Sequence, residues 1–363
     1  MTTPWPQVVR VVHLGGGLRA VSEPQKKVFL EPHSPEGTIA VDLDDFGSLY
    51  GVIEKHLHLK VIGCDFFELK EQVLGYMPPE WRPFNRARNL GWATNDAAQV
   101  WSEISHAAFR ANNLVLAQQA RHISTQLRIC IARLRDLSEK YHQHLSAMVE
   151  GGAYRETRGY TGNFTDEIFI SVHAALFELC TLRDFITGFV GYAVFGAANL
   201  GLGSFLKRAR GGQDKPAIVA QILDAAKDED NDEGWLHLLT EYRNLITHNA
   251  PLADAHGVVM VRHINISVGE KCFAPSVSLP LPNSPKVLRK RFAQPSAFET
   301  SEEWLGASRS LMGEEGRDAL QFCHAALFNL AELARDAAAL SPLQPTPIVF
   351  DDRTIVRGSL TLR

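Results

Sequence analysis

Residues 235–251 read WLHLLTEYRNLITHNAP. The predicted fold of the second part of the chain rests on this stretch. Its large apolar side chains recur at the spacing of one helix face: Trp235, Leu238, Leu239, Tyr242, Leu245 and Ile246. The acidic pair before it, Asp232 and Glu233, suits the positive end of a helix dipole in the first turn. Pro251 cannot continue a helix. The stretch is therefore predicted to be an amphipathic helix with one buried face.

The polar side of this predicted helix carries residues that can act on a phosphodiester. At about 100° per residue, Asn244 and His248 lie opposite the apolar face and Arg243 lies on its flank. A histidine in the last turn can exchange a proton with a ribose 2′-hydroxyl or a leaving oxygen. An arginine can hold the phosphate and stabilise its developing charge. The amide of Asn244 can orient the histidine or the phosphate. These residue types indicate cleavage of RNA.

The spacing of arginine and histidine is not specific by itself. Similar spacing occurs in Arg135…His142, Arg243…His248 and Arg317…His324. Only the middle pair has asparagine directly after arginine, at the end of an amphipathic helix closed by Asn-Ala-Pro. In this form RNLITH, at 243–248, resembles the R-x(4–6)-H signature of the HEPN superfamily. The helical pattern over about residues 95–340 is also similar to that family.

The HEPN resemblance implies a fold, an activity and a site. HEPN domains are helical bundles, commonly homodimers, and many are ribonucleases that need no metal or other cofactor. Because their catalytic residues meet at a dimer cleft, the resemblance implies that Arg243, Asn244 and His248 are catalytic and that Thr247 lies beside the substrate. It also implies cleavage through the 2′-hydroxyl to a cyclic phosphate. A role in toxin–antitoxin or phage-defence systems follows, with an antitoxin or regulatory protein as a further partner.

Two other functions stay open. The chain can be a non-catalytic HEPN-type protein that dimerises or binds RNA or another partner, while any activity lies in a different chain. It can also be a structural protein of a phage or mobile element in which the motif occurs by chance. A ribonuclease is expected to slow growth when overexpressed, with relief by His248→Ala, and a binding module to bind RNA or a partner without cleavage. If the motif occurs by chance, substitution of His248 or Arg243 should change neither behaviour nor binding.

Two basic clusters are predicted to contact the RNA backbone. They are KRARGG at 207–212 and LRKR at 288–291, and the residues assigned to substrate binding there are Lys207, Arg208, Arg210, Arg289, Lys290 and Arg291. The alternative is that they are solvated surface charges. HLGGGLRAV at 13–21 is predicted to be a strand turn, because it lacks the ending of a phosphate-binding loop. No metal site is expected, because the paired histidines lack a third ligand nearby.

The composition of the chain limits the classes of protein to which it can belong. The 363 residues carry a net charge of −4, so any contact with nucleic acid must come from a local basic surface. The 5 cysteines are far apart, which argues against disulfides and favours a cytoplasmic setting. Residues 185–206 hold no charge, but their glycines favour a buried helix followed by a turn over a membrane span.

The pattern along the chain predicts an α+β protein. Residues 1–90 are predicted to be strand-rich, with an unknown role, and include a strand around His56 and His58. Residues 91–345 are predicted to form the HEPN-like helical domain, with a β-hairpin inserted at 256–282. A break near Asn112 and Asn113 would turn its first long helix into a hairpin. Residues 346–363 are predicted to be C-terminal strand.

Overall fold

The structure is a computed structural model. It describes residues 9–22, 27–33, 37–43, 48–85, 92–156, 159–160, 162–197, 200–211, 215–229, 232–248, 260–269, 272–292, 300–303, 306 and 316–345. The predicted C-terminal strand at 346–363 lies outside these residues. Helices and strands occur together, and the class is α+β as predicted.

The N-terminal region is a six-stranded antiparallel sheet in the order β4-β3-β2-β1-β5-β6. Its strands are β1 (Val9–Leu14), β2 (Arg19–Ser22), β3 (Lys27–Glu31), β4 (Ala40–Asp42), β5 (Val61–Phe67) and β6 (Glu80–Pro83). Two short helices interrupt them, α1 (Leu49–Lys55) and α2 (Lys70–Val73). The strand predicted around His56 and His58 is wrong. His56 caps α1, and His58 adopts a positive φ of 57° that no strand allows.

The glycine turn between β1 and β2 shows why that stretch needs glycine. Gly15–Gly17 form one 3-10 turn, in which Gly17 has φ 80°. A Cβ on Gly17 would lie 2.7 Å from the carbonyl oxygen of Tyr141, so only glycine permits this approach. The prediction of a strand turn is confirmed.

The rest of the chain is mainly helical. The helices are α3 (Ala93–Arg110), α4 (Leu114–Glu150), α5 (Asn163–Phe195), α6 (Leu202–Arg210), α7 (Ala217–Ala225), α8 (Trp235–His248), α9 (Pro285–Phe292) and α10 (Ala319–Ala338). The break between α3 and α4 falls at the predicted place, because Asn112 has φ 58° and the side chain of Asn113 accepts a hydrogen bond from the backbone N–H of Leu116. The two helices therefore form a hairpin.

The sheet packs directly on α4. The indole N–H of Trp81 donates to the carbonyl of Ile131 at 3.0 Å, and Arg135 donates to both carboxylate oxygens of Asp65 at 2.9 Å. On the other side of the bundle, Trp101 of α3 donates to the carbonyl of Ala334 in α10 at 2.8 Å. Buried residues of the sheet and of the helices form one continuous core cluster. The division into domains at residue 90 stays a prediction.

The helical part also contains short β-strands. The predicted hairpin is confirmed as β10 (Val261–Val268) and β11 (Cys272–Ser278), with β7 (Gly159–Tyr160) added to β10. A second pair is β12 (Pro280–Leu281) with β13 (Arg317–Asp318), and a third is β8 (Asp228–Glu229) with β9 (Asp232–Glu233). The assignment of Asp232 and Glu233 to the first turn of a helix is therefore wrong, since they belong to β9 and α8 begins at Trp235.

The uncharged segment at 185–206 is a buried helix and a turn, as predicted. α5 ends at Phe195, and Gly196 closes it with a left-handed φ of 64°. α6 then begins at Leu202. Within the part of the chain that the structure describes, no helix combines the length and hydropathy needed to cross a bilayer. The cysteines are free, and Cys272 is exposed while the others are buried.

Candidate active site on helix α8

Helix α8 buries one face and holds the motif on the other side, as its periodicity predicts. Leu238, Leu239, Tyr242 and Leu245 are at most 4% exposed. Leu236, which the periodicity leaves off that face, is fully buried as well. α8 packs antiparallel to α5. Cys180 of α5 donates its thiol hydrogen to the carbonyl of Leu239 at 3.7 Å, and Arg243 lies over the ring of Phe177.

Arg243 and Asn244 form a fixed pair on this helix. Nη1 of Arg243 donates to Oδ1 of Asn244 at 3.1 Å, and the guanidinium carbon lies 5.9 Å from the centre of the Phe177 ring. Both residues are half-buried, and Thr247 is exposed. Thr247 donates its hydroxyl hydrogen to the carbonyl of Arg243 at 2.7 Å, one turn back along the helix. The guanidinium is therefore held by a hydrogen bond and an aromatic face at the protein surface.

His248 is the last residue of α8, but its side chain lies outside the described residues. Its position can be related to Arg243 by helix geometry alone. Five residues correspond to about 140° around the axis and about 7.5 Å along it. The positions of Arg243 and His248 thus face different directions on one helix.

A cavity of about 400 Å³ opens beside Arg243, between α5, α6 and α8. A second arginine, Arg183, lines it and is 6% exposed. Arg183 donates from Nε to the carboxylate of Asp184 at 2.9 Å and from Nη1 to the hydroxyl of Thr240 at 2.7 Å. The other polar residues of the lining are Asp184, Ser204, His237 and Thr240. Because Arg183 is already paired with the carboxylate of Asp184, Arg243 is the guanidinium group of this cavity that suits an anionic group.

The burial of Arg183 and its place in the cavity beside Arg243 were not predicted from the sequence. The available signal was the charged pair Arg183-Asp184 within the predicted helix segment ELCTLRDFI at 178–186. A buried arginine needs partners, and this pattern pointed to a polar neighbour helix.

The other side of α8 is held by ion pairs to α9. Nε of Arg289 donates to Glu241 at 3.0 Å, and Glu241 is only 7% exposed. Lys286 donates to Oδ1 of Asp228 at 2.6 Å, and this hydrogen bond holds the pKa of Asp228 below its ordinary value. Nε2 of His237 lies 3.4 Å from the same carboxylate. Arg289, assigned to RNA binding from sequence, is thus engaged in an internal pair.

The remaining predicted substrate-binding residues are not gathered at the motif. Lys207, Arg208 and Arg210 are exposed at the end of α6, while the beginning of that helix lines the cavity. Lys290 is exposed on α9, and the side chain of Arg291 lies outside the described residues. Their contact with RNA stays a prediction.

Some clusters of side chains have a composition that could hold a metal ion. Among the described residues, two such groups occur, His13–Asp65–Glu139 and Asp228–Glu233–His237, and neither contains a motif residue. Each already has a cation in place, because Arg135 binds Asp65 and Lys286 binds Asp228. Burial raises the pKa of Asp65, but hydrogen bonds from His13 and Arg135 outweigh it, so the pKa lies below its ordinary value. These groups are better described as internal ion pairs.

Cys180 is the thiol nearest the motif helix, through its bond to Leu239. Burial raises its pKa to about 11, so at neutral pH it is a thiol and not a thiolate.

Comparison of the chain with family profiles, with curated proteins and with solved structures found no match.

Proposed function

We propose that this chain is a HEPN-like endoribonuclease that cleaves RNA through the 2′-hydroxyl without a metal ion. The observation that carries the proposal is the arrangement on α8. Arg243 and Asn244 form a hydrogen-bonded pair on the surface of a helix that ends at His248, beside a cavity lined by a second arginine. The RNLITH motif and this arrangement together favour phosphodiester chemistry.

The proposed roles follow from the contacts. His248 removes the proton from the ribose 2′-hydroxyl, the 2′-oxygen forms a bond to phosphorus, and the bond to the 5′-oxygen breaks. The leaving 5′-oxygen takes up a proton from water, which gives a 2′,3′-cyclic phosphate and a 5′-hydroxyl. Arg243 stabilises the charge on the phosphate. Because Oδ1 of Asn244 accepts from Arg243, Asn244 orients the guanidinium.

A homodimer would bring Arg243 of one copy to His248 of the other. The exposed face of α5 supports this, because Ile170 and Phe177 are 67% and 40% exposed and lie seven residues apart, on one side of the helix. Phe177 lies under Arg243, so this apolar stripe runs up to the motif. A stripe of this kind marks an interaction surface. Burial of the stripe by a second copy would place two α8 helices side by side, so that Arg243 of one copy approaches His248 of the other.

The test is cleavage of a labelled RNA oligonucleotide in EDTA by the wild type, His248→Ala and Arg243→Gln. His56→Ala is the matched control, because His56 is an exposed histidine at the end of α1. The wild type and the control are expected to cleave, and the two motif variants should lose at least a hundredfold in rate. Cleavage by all four at one rate would place the activity elsewhere. A folded wild-type dimer that leaves the RNA intact would overturn the proposal.

One observation favours a second candidate, a HEPN-type module that binds RNA or a protein partner without cutting it. The guanidinium groups of Arg183 and Arg243 line the cavity and suit binding of an anion, although Arg183 also pairs with Asp184 in the same lining. Such a module should retain RNA binding without cleavage. Overexpression in cells separates the two, since a toxin-type ribonuclease slows growth and His248→Ala relieves it.

A further inference from the structure

A groove runs along the α3–α4 hairpin, away from the motif helix. It encloses a cavity of about 620 Å³, to which α3 contributes His106 and Phe109 and α4 contributes Arg121, Thr125 and Arg128. Serine hydroxyls and the amide of Gln118 complete the polar lining, and the lining contains no carboxylate. The groove therefore carries positive charge without internal compensation.

The two arginines differ from the other basic residues of α4. Further along this helix, Arg133 pairs with Asp136, Arg135 with Asp65 and Lys140 with Glu167. Arg121 and Arg128 are exposed, and neither has an ion-pair partner within the part of the chain that the structure describes. In a chain of net charge −4, two unpaired arginines at one groove form a local positive surface.

The spacing of Arg121 and Arg128 suits an extended polyanion. Arg121 and Arg128 are seven residues apart on α4, so they lie on one stripe of the helix about 10.5 Å apart. Thr125 stands between them on the same stripe. Phe109, at the end of α3, is 66% exposed and lines the same cavity. An exposed aromatic ring beside guanidinium groups is the combination on which unpaired bases stack, and it favours a single strand over a duplex.

The groove leads toward the motif. On the neighbouring stripe of α4, Gln119 and His122 line a second cavity of about 400 Å³. The imidazole of His122 lies 5.1 Å from the ring of Phe185, centre to centre. This second cavity shares Asp184 and Gly201 with the cavity that Arg243 lines. The second cavity therefore borders the cavity beside α8, and its α4 residues lie next in sequence to Gln118 and Arg121 of the groove.

We propose that the α3–α4 groove is a binding site for single-stranded RNA, in which Arg121 and Arg128 contact phosphates and a base stacks on Phe109. That the bound strand is also the substrate rests on the ribonuclease function proposed above. The groove would hold the part of the strand that lies outside the cleavage site.

Binding is measured by fluorescence anisotropy with a labelled single-stranded RNA 20-mer in EDTA. The full chain carries His248→Ala, so that the RNA stays intact. The double change Arg121→Gln and Arg128→Gln should weaken binding on the order of tenfold and reduce the slope of log Kd against log salt by about 1.4. Arg133→Gln, the matched change on the same helix, should stay within about twofold of the parent.

A second pair of variants tests stacking. Phe109→Ser should weaken binding at least about fivefold, because one stacked base is lost. Tyr76→Ser is its control, since Tyr76 is also an exposed aromatic residue, at 79%, and does not line the groove. Both side chains are exposed, so neither change is expected to unfold the protein.

Three outcomes would overturn the inference. They are equal binding by the double variant and Arg133→Gln, no effect of Phe109→Ser, and displacement of RNA by polyglutamate as effectively as by unlabelled RNA of equal charge. The last result would instead favour an acidic protein partner. Failure of the groove is distinguishable from failure of the ribonuclease. In the first case the wild type cleaves RNA but the groove variants bind normally, and in the second the variants lose binding while the wild type leaves RNA intact.

Discussion

The role of Arg289 can be tested directly, because the sequence predicts that it contacts RNA whereas the structure pairs it with Glu241. In the structure Arg289 donates to Glu241 at 3.0 Å from Nε and at 3.5 Å from Nη2. The side chain of Glu241 is 9% exposed and that of Arg289 is 31% exposed. Arg289→Gln would leave the carboxylate of Glu241 nearly buried without its cation. A fully buried charge left this way costs about 3–5 kcal/mol. Because Arg289 is partly solvated, we expect about 2 kcal/mol.

Urea unfolding followed by tryptophan fluorescence measures this cost. Four proteins are compared, namely the wild type, Arg289→Gln, Glu241→Gln and the double variant. Glu241→Gln should cost less, about 1 kcal/mol, because it removes the buried charge itself. The coupling energy in the cycle should be about 1–2 kcal/mol. If Arg289→Gln is as stable as the wild type and only RNA affinity falls, the reasoning is refuted, and Arg289 contacts RNA as its sequence cluster suggests.

Three further outcomes are expected. Burial lowers the pKa of His324 from 6.5 to about 4, so between these values the unfolded chain binds a proton that the folded chain excludes. Stability should therefore fall as the pH drops through that window. In His324→Gln, the urea concentration at the unfolding midpoint should depend less on pH. Gly17→Ala should cost at least about 2 kcal/mol in unfolding experiments, through its positive φ and the nearby carbonyl. Gly203→Ala, in open space within α6, should be neutral or stabilising. Ellman's reagent should label one thiol, Cys272, in the folded protein and the buried cysteines only after unfolding.

Periodicity predicts local features well in this chain. The buried face of α8, the hairpin break at Asn112 and Asn113, and the end of α5 before a glycine turn all follow from residues close in sequence. Such features depend on the backbone preferences of a few neighbours. They could be predicted because no distant partner is needed to decide them.

Features that depend on distant partners could not be predicted. Glu241 is buried because Arg289, 48 residues away, meets it from α9. Arg183 lines the cavity because Thr240, 57 residues away, accepts its hydrogen bond. The start of α8 was placed too early for a different, local reason. Asp232 and Glu233 have the character of a helix start, but they pair with Asp228 and Glu229 in the short hairpin of β8 and β9. This local hairpin outweighed a helix-start preference worth a few tenths of a kcal/mol to about 1 kcal/mol.

The most direct test of the central claim is subunit complementation between two inactive variants. Arg243→Gln and His248→Ala are mixed, refolded together and assayed for RNA cleavage in EDTA, beside wild type treated in the same way. If each site combines Arg243 of one copy with His248 of the other, half of the dimers regain one of two sites. We therefore expect about a quarter of wild-type activity. A mixture as inactive as either variant alone, with wild type active, would contradict a shared site on α8.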